Sequence, residues 1–470
     1  MNTDAADTRS FAPEDALDAS VPSDPAAVPA ARDQRPLETT RGTPRVILVG
    51  LDDAGPEGPG AEESLQELAL LVETWGGEVA ASLVQPRREP DPAWYVGRGK
   101  VKEIDELARR RRADFVVTDT ELSPVQLRNL ERELAVDVLD RTQVILEIFA
   151  RRAHSREGKL QVELARAVYA LPRLTGKGVI LSRLGGGIGT RGPGETKLEV
   201  DRRRLRERIA TLRREIREVG RRRDIQARER REALLPLAAL VGYTNAGKSS
   251  LFNRLTGSSV FVEDRLFATL DPVVRRLELP GGQTMLISDT VGFVRKLPHH
   301  LIAAFRATLE EVREADILLH VIDASNPGWP DQARAAEDVL ADIGVAASPV
   351  IYVLNKIDRL AGGPAEAEAT AAAAELGRRA KVVSLSALTG QGVEGLLRVL
   401  SGELASRRRV FRLQVPYDRS DLLPLLHNQG RVLRKEYTGD GVILEVELES
   451  VLGRRVQASL DDGRWEGGGS

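Results

Sequence analysis

From residue 45 onward, short apolar runs alternate with amphipathic stretches, and this rhythm predicts βα units. RVILVGL at 45–51 predicts a strand, EESLQELALLVETWG at 62–76 a helix and GEVAASLVQ at 77–85 a second strand. KVKEIDELARRRR at 100–112 predicts a helix and ADFVVTDT at 113–120 a strand. SPVQLRNLERELA adds a helix with Ser123 as N-cap and Pro124 at its first position, and VDVLD at 136–140 closes the series. A small N-terminal α/β sheet unit over 44–140 is expected. Residues 1–43, rich in Ala, Pro and Asp with few large apolar groups, bury too little to offset the entropy of ordering and are expected to form a disordered tail.

The period then lengthens. Residues 142–174 read as one long helical pattern, and a second runs from about Glu195 to Glu232. In the second, Leu198, Leu205, Ile209, Leu212, Ile216 and Val219 make a narrow apolar seam, so 141–233 is expected to be an antiparallel helical hairpin. Its tip is LGGGIGTRGPGETK at 184–197, where glycines and a proline disfavour helix and Arg191 and Lys197 flank backbone that can approach another molecule closely. Over 234–404 four apolar strands recur, each ending in polar residues, and this predicts a mostly parallel sheet with helices on both faces. RRRVFRLQVPYD at 407–418 opens a small C-terminal α+β domain over 405–465, and VLRKEYTGDGVILEVELES adds two strands about a Gly-Asp-Gly turn. The fold class is therefore α/β multidomain.

The strand ends over 234–404 carry the chemistry. LAALVG runs into GYTNAGKS at 242–249, a full match to the phosphate-binding pattern, with KSSLFNRLTG as the helix behind it. Gly242, Tyr243, Thr244, Asn245, Ala246 and Gly247 turn backbone N–H groups toward phosphate oxygens, Lys248 reaches the β- and γ-phosphates, and Ser249, followed by Ser250, offers a hydroxyl to magnesium. In TMLISDTVG, Asp289 can hold a magnesium-bound water and the Gly292 N–H can meet the γ-phosphate. Thr269, in LFATLDP, sits where a loop can close on magnesium and the γ-phosphate. Lys248, Thr269 and Gly292 are the expected catalytic set, and Ser249 and Thr269 the expected metal ligands. In NKID, Asp358 can accept both the ring N–H and the exocyclic amine of guanine, a pair adenine lacks, while Asn355 braces the loop and the Lys356 stem covers the base. In SAL, Ser386 precedes Ala387, whose N–H can meet the guanine oxygen. GTP or GDP with Mg2+ is the expected cofactor set, with K+ at Asn245 as a further expectation. Phe293 follows DTVG directly, and an aromatic side chain cannot position water, so slow unassisted hydrolysis is expected. Phe293 also reads as a residue packed on the core.

Charge adds one fact that the patterning does not. The whole chain carries −2, yet residues 151–232 hold 24 Lys or Arg against 11 Asp or Glu, a net +13 that suits an anionic partner. Cysteine is absent, so no disulfide framework exists. The first residues lack the basic and apolar regions of a secretory leader and no stretch approaches eighteen apolar residues. A cytoplasmic, monomeric protein without a membrane span is expected, with peripheral membrane association as an alternative. His427 has no second ligand at metal spacing.

In WYVGRGK, TDTELSPVQLRNLE, VLDRTQVILEIFARRA and GGGIGTRGPGETKLE, placed ahead of GYTNAGKSSLFN and LFATLDP, the chain resembles the HflX-type family of ribosome-associated GTPases over about 45–460. The resemblance implies a factor that binds the large ribosomal subunit and its rRNA, reaches toward the peptidyl-transferase region with the hairpin, and splits or rescues ribosomes under stress. It also implies that the ribosome stimulates hydrolysis. Arg191 and Lys197 are the rRNA contacts expected at the tip. Two other readings stay open: a GTP-gated ribosome-assembly or RNA-binding factor, and an ATP-dependent RNA remodeller working through GRGK at 97–100.

Overall fold

The computed structural model describes residues 42–52, 60–174, 193–232, 235–258, 266–267, 269–296, 310–345, 348–360, 374, 376–378, 380–406, 408–449, 453–454, 456–457 and 460. The expected N-terminal tail falls outside them apart from Gly42 and Thr43, as does the hairpin tip up to residue 192, including Arg191.

The first sheet holds β1 (Arg45–Asp52), β2 (Glu78–Pro86), β3 (Phe115–Thr118) and β4 (Asp137–Asp140), all parallel in the order β2-β1-β3-β4. Alternation along β1 splits its core in two. Ile47, Val49 and Leu51 pack with α2 (Arg98–Arg111) and α3 (Pro124–Glu133). Val46 and Leu48 pack with α1 (Ala61–Trp75) and α4 (Arg141–Arg152). Ser123 caps α3 in a reciprocal box with Gln126, with Pro124 in the first turn. Gly76 ends α1 in the left-handed conformation at φ 97°.

The helical pattern read as continuous over 142–174 is two helices. α4 stops at Arg152, and α5 (Arg156–Arg173) starts afresh behind Ser155, whose hydroxyl accepts from the Gly158 N–H at 2.9 Å. Ser155 is extended at ψ 153°, so a local cap won over continued helical periodicity. α5 packs against α6 (Pro193–Glu232) through Leu160, Leu164, Leu205, Ile209 and Leu212, with Ile216 and Val219 alongside. Arg208 pairs with Glu163 across the seam at 2.7 Å.

The second sheet has the order β10-β9-β8-β5-β7-β6. Its strands are β5 (Leu237–Gly242), β6 (Val273–Leu279), β7 (Gln283–Asp289), β8 (Ile317–Asp323), β9 (Val350–Asn355) and β10 (Lys381–Ser384). Only β6 runs antiparallel to its neighbour. Helices Lys248–Thr256 and Val393–Ser406 cover the face carrying Ala238 and Leu240, and helices Glu310–Glu314 and Trp329–Asp342 the face carrying Ala239 and Val241. The last unit is an antiparallel sheet of β11 (Arg408–Pro416), β12 (Arg431–Tyr437) and β13 (Gly441–Glu449), ordered β11-β13-β12 and packed on helix Leu422–Gln429. His427 is exposed on that helix. Among the described residues no helix is long and apolar enough to cross a membrane.

One core crosses the boundary between the first two sheets. The cluster holding Val46, Leu68 and Phe149 also takes in Tyr243, Leu266, Phe267, Leu270, Val291 and Val294.

Candidate functional site

Two glycines fix the phosphate loop. At Gly242, φ is 138° and a Cβ would stand 2.2 Å from the Val321 carbonyl oxygen; at Gly247, φ is 93° and a Cβ would stand 2.2 Å from Asn355 Nδ2. No other residue type fits either position without displacing backbone or the Asn355 brace. Between them Asn245 is left-handed at φ 60° and its side chain is exposed. Lys248 is buried at the N-terminus of its helix, with Nζ donating to the carbonyls of Gly242 at 3.2 Å and Tyr243 at 2.8 Å. Burial pushes its pKa down to about 8, opposed by the Asp289 charge and assisted by that of Lys356. A phosphate at the loop would restore a counter-charge to this ammonium.

Ser249, Thr269 and Asp289 come from three separate elements and meet. Ser249 Oγ lies 2.9 Å from Thr269 Oγ1, and the two hydroxyls donate to Asp289 Oδ2 at 2.7 and 2.8 Å. Asp289 is fully buried, and its Oδ1 has no hydrogen-bond partner. Burial raises its pKa, with the bonds from Ser249 and Thr269 and the Lys248 charge opposing. Three hard oxygen groups with an unsatisfied carboxylate oxygen suit a small hard cation such as Mg2+. Among the described residues no cluster of three His, Cys, Asp or Glu side chains offers a rival metal site.

The DTVG turn lies directly on this loop. A Cβ on Gly292 would stand 2.8 Å from Thr244 Cα and 2.9 Å from Lys248 Nζ. The Phe293 N–H donates to the Gly242 carbonyl at 3.1 Å, and its own carbonyl accepts from the Thr244 N–H at 2.8 Å. The Phe293 ring is buried in the core with Val241 and Val312, which satisfies the packing reading and leaves no polar group there to hold water.

At the base end, Asn355 Nδ2 donates to the Ala246 carbonyl at 2.8 Å, and Oδ1 accepts from the Ala387 N–H at 2.9 Å. The N–H expected at a guanine oxygen thus braces the two loops in this structure. Lys356 is left-handed at φ 65°, and its ammonium reaches the Asn245 carbonyl and Asp323 Oδ2, each at 2.7 Å. Asp358 sits half-buried in the short 3-10 turn Ile357–Arg359, and Ser386 is buried where its Oγ accepts from the Thr389 N–H. Ser250 is half-buried in the helix after the phosphate loop. Lys197 lies in the first turns of α6, which begins at Pro193, so the last five residues of the stretch expected to be a non-helical tip are helix, proline being tolerated at a helix's first position.

Sequence reading missed a polar cluster against the back of the loop. The Tyr243 hydroxyl bonds to Glu67 of α1 and accepts from the Arg295 N–H at 2.7 Å. Buried Arg141 pairs with Glu67 and, at 3.0 Å, with Asp119, and Lys296 pairs with Asp119 from the DTVG side. Burial opposes the Arg141 charge, but the two carboxylates more than offset it and hold its pKa above the ordinary value. Asp119 and Arg141 stand in stretches that carry the family resemblance, TDTELSPVQLRNLE and VLDRTQ. Nothing in the spacing of Glu67 or Lys296 marked them.

The chain matches four family descriptions in succession. These are "GTP-binding GTPase N-terminal" at 62–150, "GTP-binding GTPase Middle Region" at 152–231, "50S ribosome-binding GTPase" at 237–356 and "HflX C-terminal domain" at 371–464. It is 43% identical over 420 residues to the GTPase HflX of Caldanaerobacter subterraneus subsp. tengcongensis, covering 89% of this chain and 94% of that one. It is 41% identical over 395 residues to that of Escherichia coli, covering 84% and 92%. A GTP-binding protein of Sulfolobus solfataricus solved with GDP is 25% identical, covers 76% of this chain and 98% of its own, and superposes with a TM-score of 0.41, too loose a likeness to bear on the reading. With these matches running from residue 62 to 464, the chain belongs to the HflX family of GTPases.

Proposed function

We infer that this GTPase binds the large ribosomal subunit in its GTP state and splits or rescues ribosomes, leaving after hydrolysis. One observation supports the reading: Thr269 and Gly292, which we assign to the γ-phosphate, lie in segments whose neighbours, Phe267, Leu270 and Val294, are buried in the core of the N-terminal unit. This packing gives a change at the phosphate a route out of the nucleotide domain. Ser249 and Thr269 would hold magnesium directly and Asp289 through water, and magnesium when bound neutralises charge on the β- and γ-phosphate oxygens. Lys248 holds the phosphates, the Gly292 N–H meets the γ-phosphate, and Asp358 selects guanine over adenine. With Phe293 packed away, hydrolysis is slow until the ribosome supplies the missing group. K+ at Asn245 belongs to the same proposal.

The domain division at 44–140, 141–233, 234–404 and 405–465 assigns the rRNA contact to the basic helices, with Arg191 and Lys197 near their tip. A net +13 over 151–232 supports that assignment, because rRNA is a dense phosphate surface. The switch needs a difference in ribosome affinity between nucleotide states, and tight GTP binding alone supplies none.

The test is sucrose-gradient sedimentation of 70S ribosomes with the full chain and either a non-hydrolysable GTP analogue or GDP, beside GTP turnover with and without large subunits. The analogue is expected to convert 70S particles to subunits with the protein on the 50S peak, and large subunits to raise turnover at least about tenfold, a change of ~1.4 kcal/mol in barrier. Lys248→Ala removes both effects. Equal sedimentation in both nucleotides rejects the reading, and co-sedimentation with free subunits without splitting favours an assembly factor.

A further inference from the structure

The loop bearing Thr269 is fastened to the start of α5, and one side chain makes the fastening. Asp271 follows Thr269 by two residues. Its Oδ2 accepts from the His154 N–H at 3.1 Å and the Ser155 N–H at 2.8 Å, and its Oδ1 accepts from the Ser155 hydroxyl. That hydroxyl in turn accepts from the Gly158 N–H, so Asp271 and Ser155 together cap α5, where a carboxylate also meets the positive end of the helix.

Gly158 makes sense only in this light. Glycine in a helical turn is disfavoured by about 1 kcal/mol relative to alanine. A Cβ there, however, would stand 2.6 Å from Asp271 Oδ1 and 3.1 Å from Ser155 Oγ. The helix gives up propensity at the one place where the loop carboxylate comes in.

The other side of Thr269 is held too. The Leu266 N–H donates to Thr74 Oγ1 of α1 at 3.2 Å, and the Phe267 ring stacks edge-on to Phe149 of α4 at 4.6 Å between centroids. Phe267 keeps φ at 56°, an uncommon conformation for a bulky residue that persists only where the surroundings enforce it.

We propose that Asp271 is a positioning residue: it sets Thr269 for the metal by anchoring the loop to the α5 cap, so that placement of Thr269 and attitude of the helical pair are one equilibrium. This rests on the reading of Thr269 as a metal ligand in the GTP state. A ligand made only with the triphosphate predicts a split in the readout. Losing the anchor weakens Mg2+ in the GTP complex and leaves GDP binding alone.

The experiment uses the full chain with Asp271→Ala, Asp271→Asn, Gly158→Ala and Thr269→Ala. Each variant is measured for the Mg2+ concentration giving half-maximal GTP turnover and for affinity toward a fluorescent GDP analogue. Asp271→Ala and Gly158→Ala are expected to raise the Mg2+ requirement about fivefold or more, the scale of one ordinary hydrogen bond, with GDP affinity within about twofold. Asp271→Asn keeps an acceptor for the two backbone N–H groups and is expected to restore most of the wild-type value. Gly158→Ala improves helix propensity but crowds the Asp271 carboxylate, so a higher Mg2+ requirement with GDP affinity kept separates the anchor from a merely structural cap, and this variant carries the test if Asp271→Ala fails to fold. An unchanged Mg2+ requirement in both variants while Thr269→Ala raises it overturns the proposal alone. A silent Thr269→Ala overturns the metal-ligand reading and the proposal with it. A fall in GDP affinity as large as the rise in Mg2+ requirement, in variants that still unfold cooperatively, also overturns the proposal, because Asp271 would then serve the whole nucleotide site and not Thr269.

Discussion

His320 shows how one side chain can carry a pH response unconnected with chemistry. It lies in β8, 1% exposed, with Nδ1 lacking a hydrogen-bond partner. Burial first, and the Lys248 charge second, lower its pKa from 6.5 to about 4. The unfolded chain therefore binds more protons than the folded one between those values. The stability this gives is present above pH 6.5 and is lost as pH falls through 4. At pH 5 the loss from this group is about 2 kcal/mol. Urea unfolding at pH 7 and pH 5 is expected to show that fall in the wild type and a shallower one in His320→Leu; parallel losses would reject the assignment. The sequence presents His320 only as one polar position in an apolar strand. The phosphate loop was legible because its chemistry is written in consecutive residues: a glycine at each bend, a lysine and a hydroxyl behind. Ser249 and Asp289 were legible for the same reason, and the structure brings them together with Thr269. The Tyr243 side chain was not legible, since its direction depends on Glu67, 176 residues away along the chain.

Between elements, α1, α4 and the DTVG turn meet at a cluster of two carboxylates, two cations and a phenol. Arg141 and Asp119 are almost fully buried, so each needs the other in place, and removing one partner leaves an uncompensated charge. Tyr243 is the member that belongs to the phosphate loop. Phenylalanine there removes the acceptor for the Arg295 N–H and the partner of Glu67, at a cost of roughly 1–3 kcal/mol. A double-mutant cycle of Tyr243→Phe with Glu67→Gln, read by thermal or urea unfolding, is expected to give a coupling of at least about 1 kcal/mol. Additive effects would mean that the loop and α1 are neighbours without being linked. At this scale helices and strands were largely legible, because apolar period and caps agree over most of them. The break between α4 and α5 was not read, although Ser155 three residues ahead of Gly158 is a capping signal. Unbroken helical spacing on either side masked it, and the partner that completes the cap, Asp271, lies 116 residues further on.

In the whole molecule, the two sheets share a core that neither could complete alone. Strand patterns predicted the first sheet and four of the six strands of the second, with β6 and β8 not read. They could not predict that Leu266, Phe267 and Leu270 would join the core that α1 and α4 bury, because a hydrophobic pattern fixes which face is buried and not what buries it. The consequence can be measured. α4 and α5 supply none of the residues assigned to the phosphate or the base, yet Phe149 of α4 touches Phe267, and Ser155, the N-cap of α5, touches Asp271, on either side of Thr269. If those contacts carry the nucleotide state, amide exchange over 141–173 must differ between the GTP-analogue and GDP complexes, in step with exchange over 266–271. Phe267→Ala opens a cavity against Phe149 and cuts the apolar half of the linkage; large-to-small changes of this kind cost about 3–5 kcal/mol, so the variant is checked for retained GTP binding before exchange is read. It is expected to bind GTP while exchange over 141–173 becomes the same in both nucleotides. A wild-type protein whose α4 and α5 exchange identically with GTP analogue and GDP would show that the shared core is a static joint, and the energy that distinguishes the two states would have to reach the basic helices by another route.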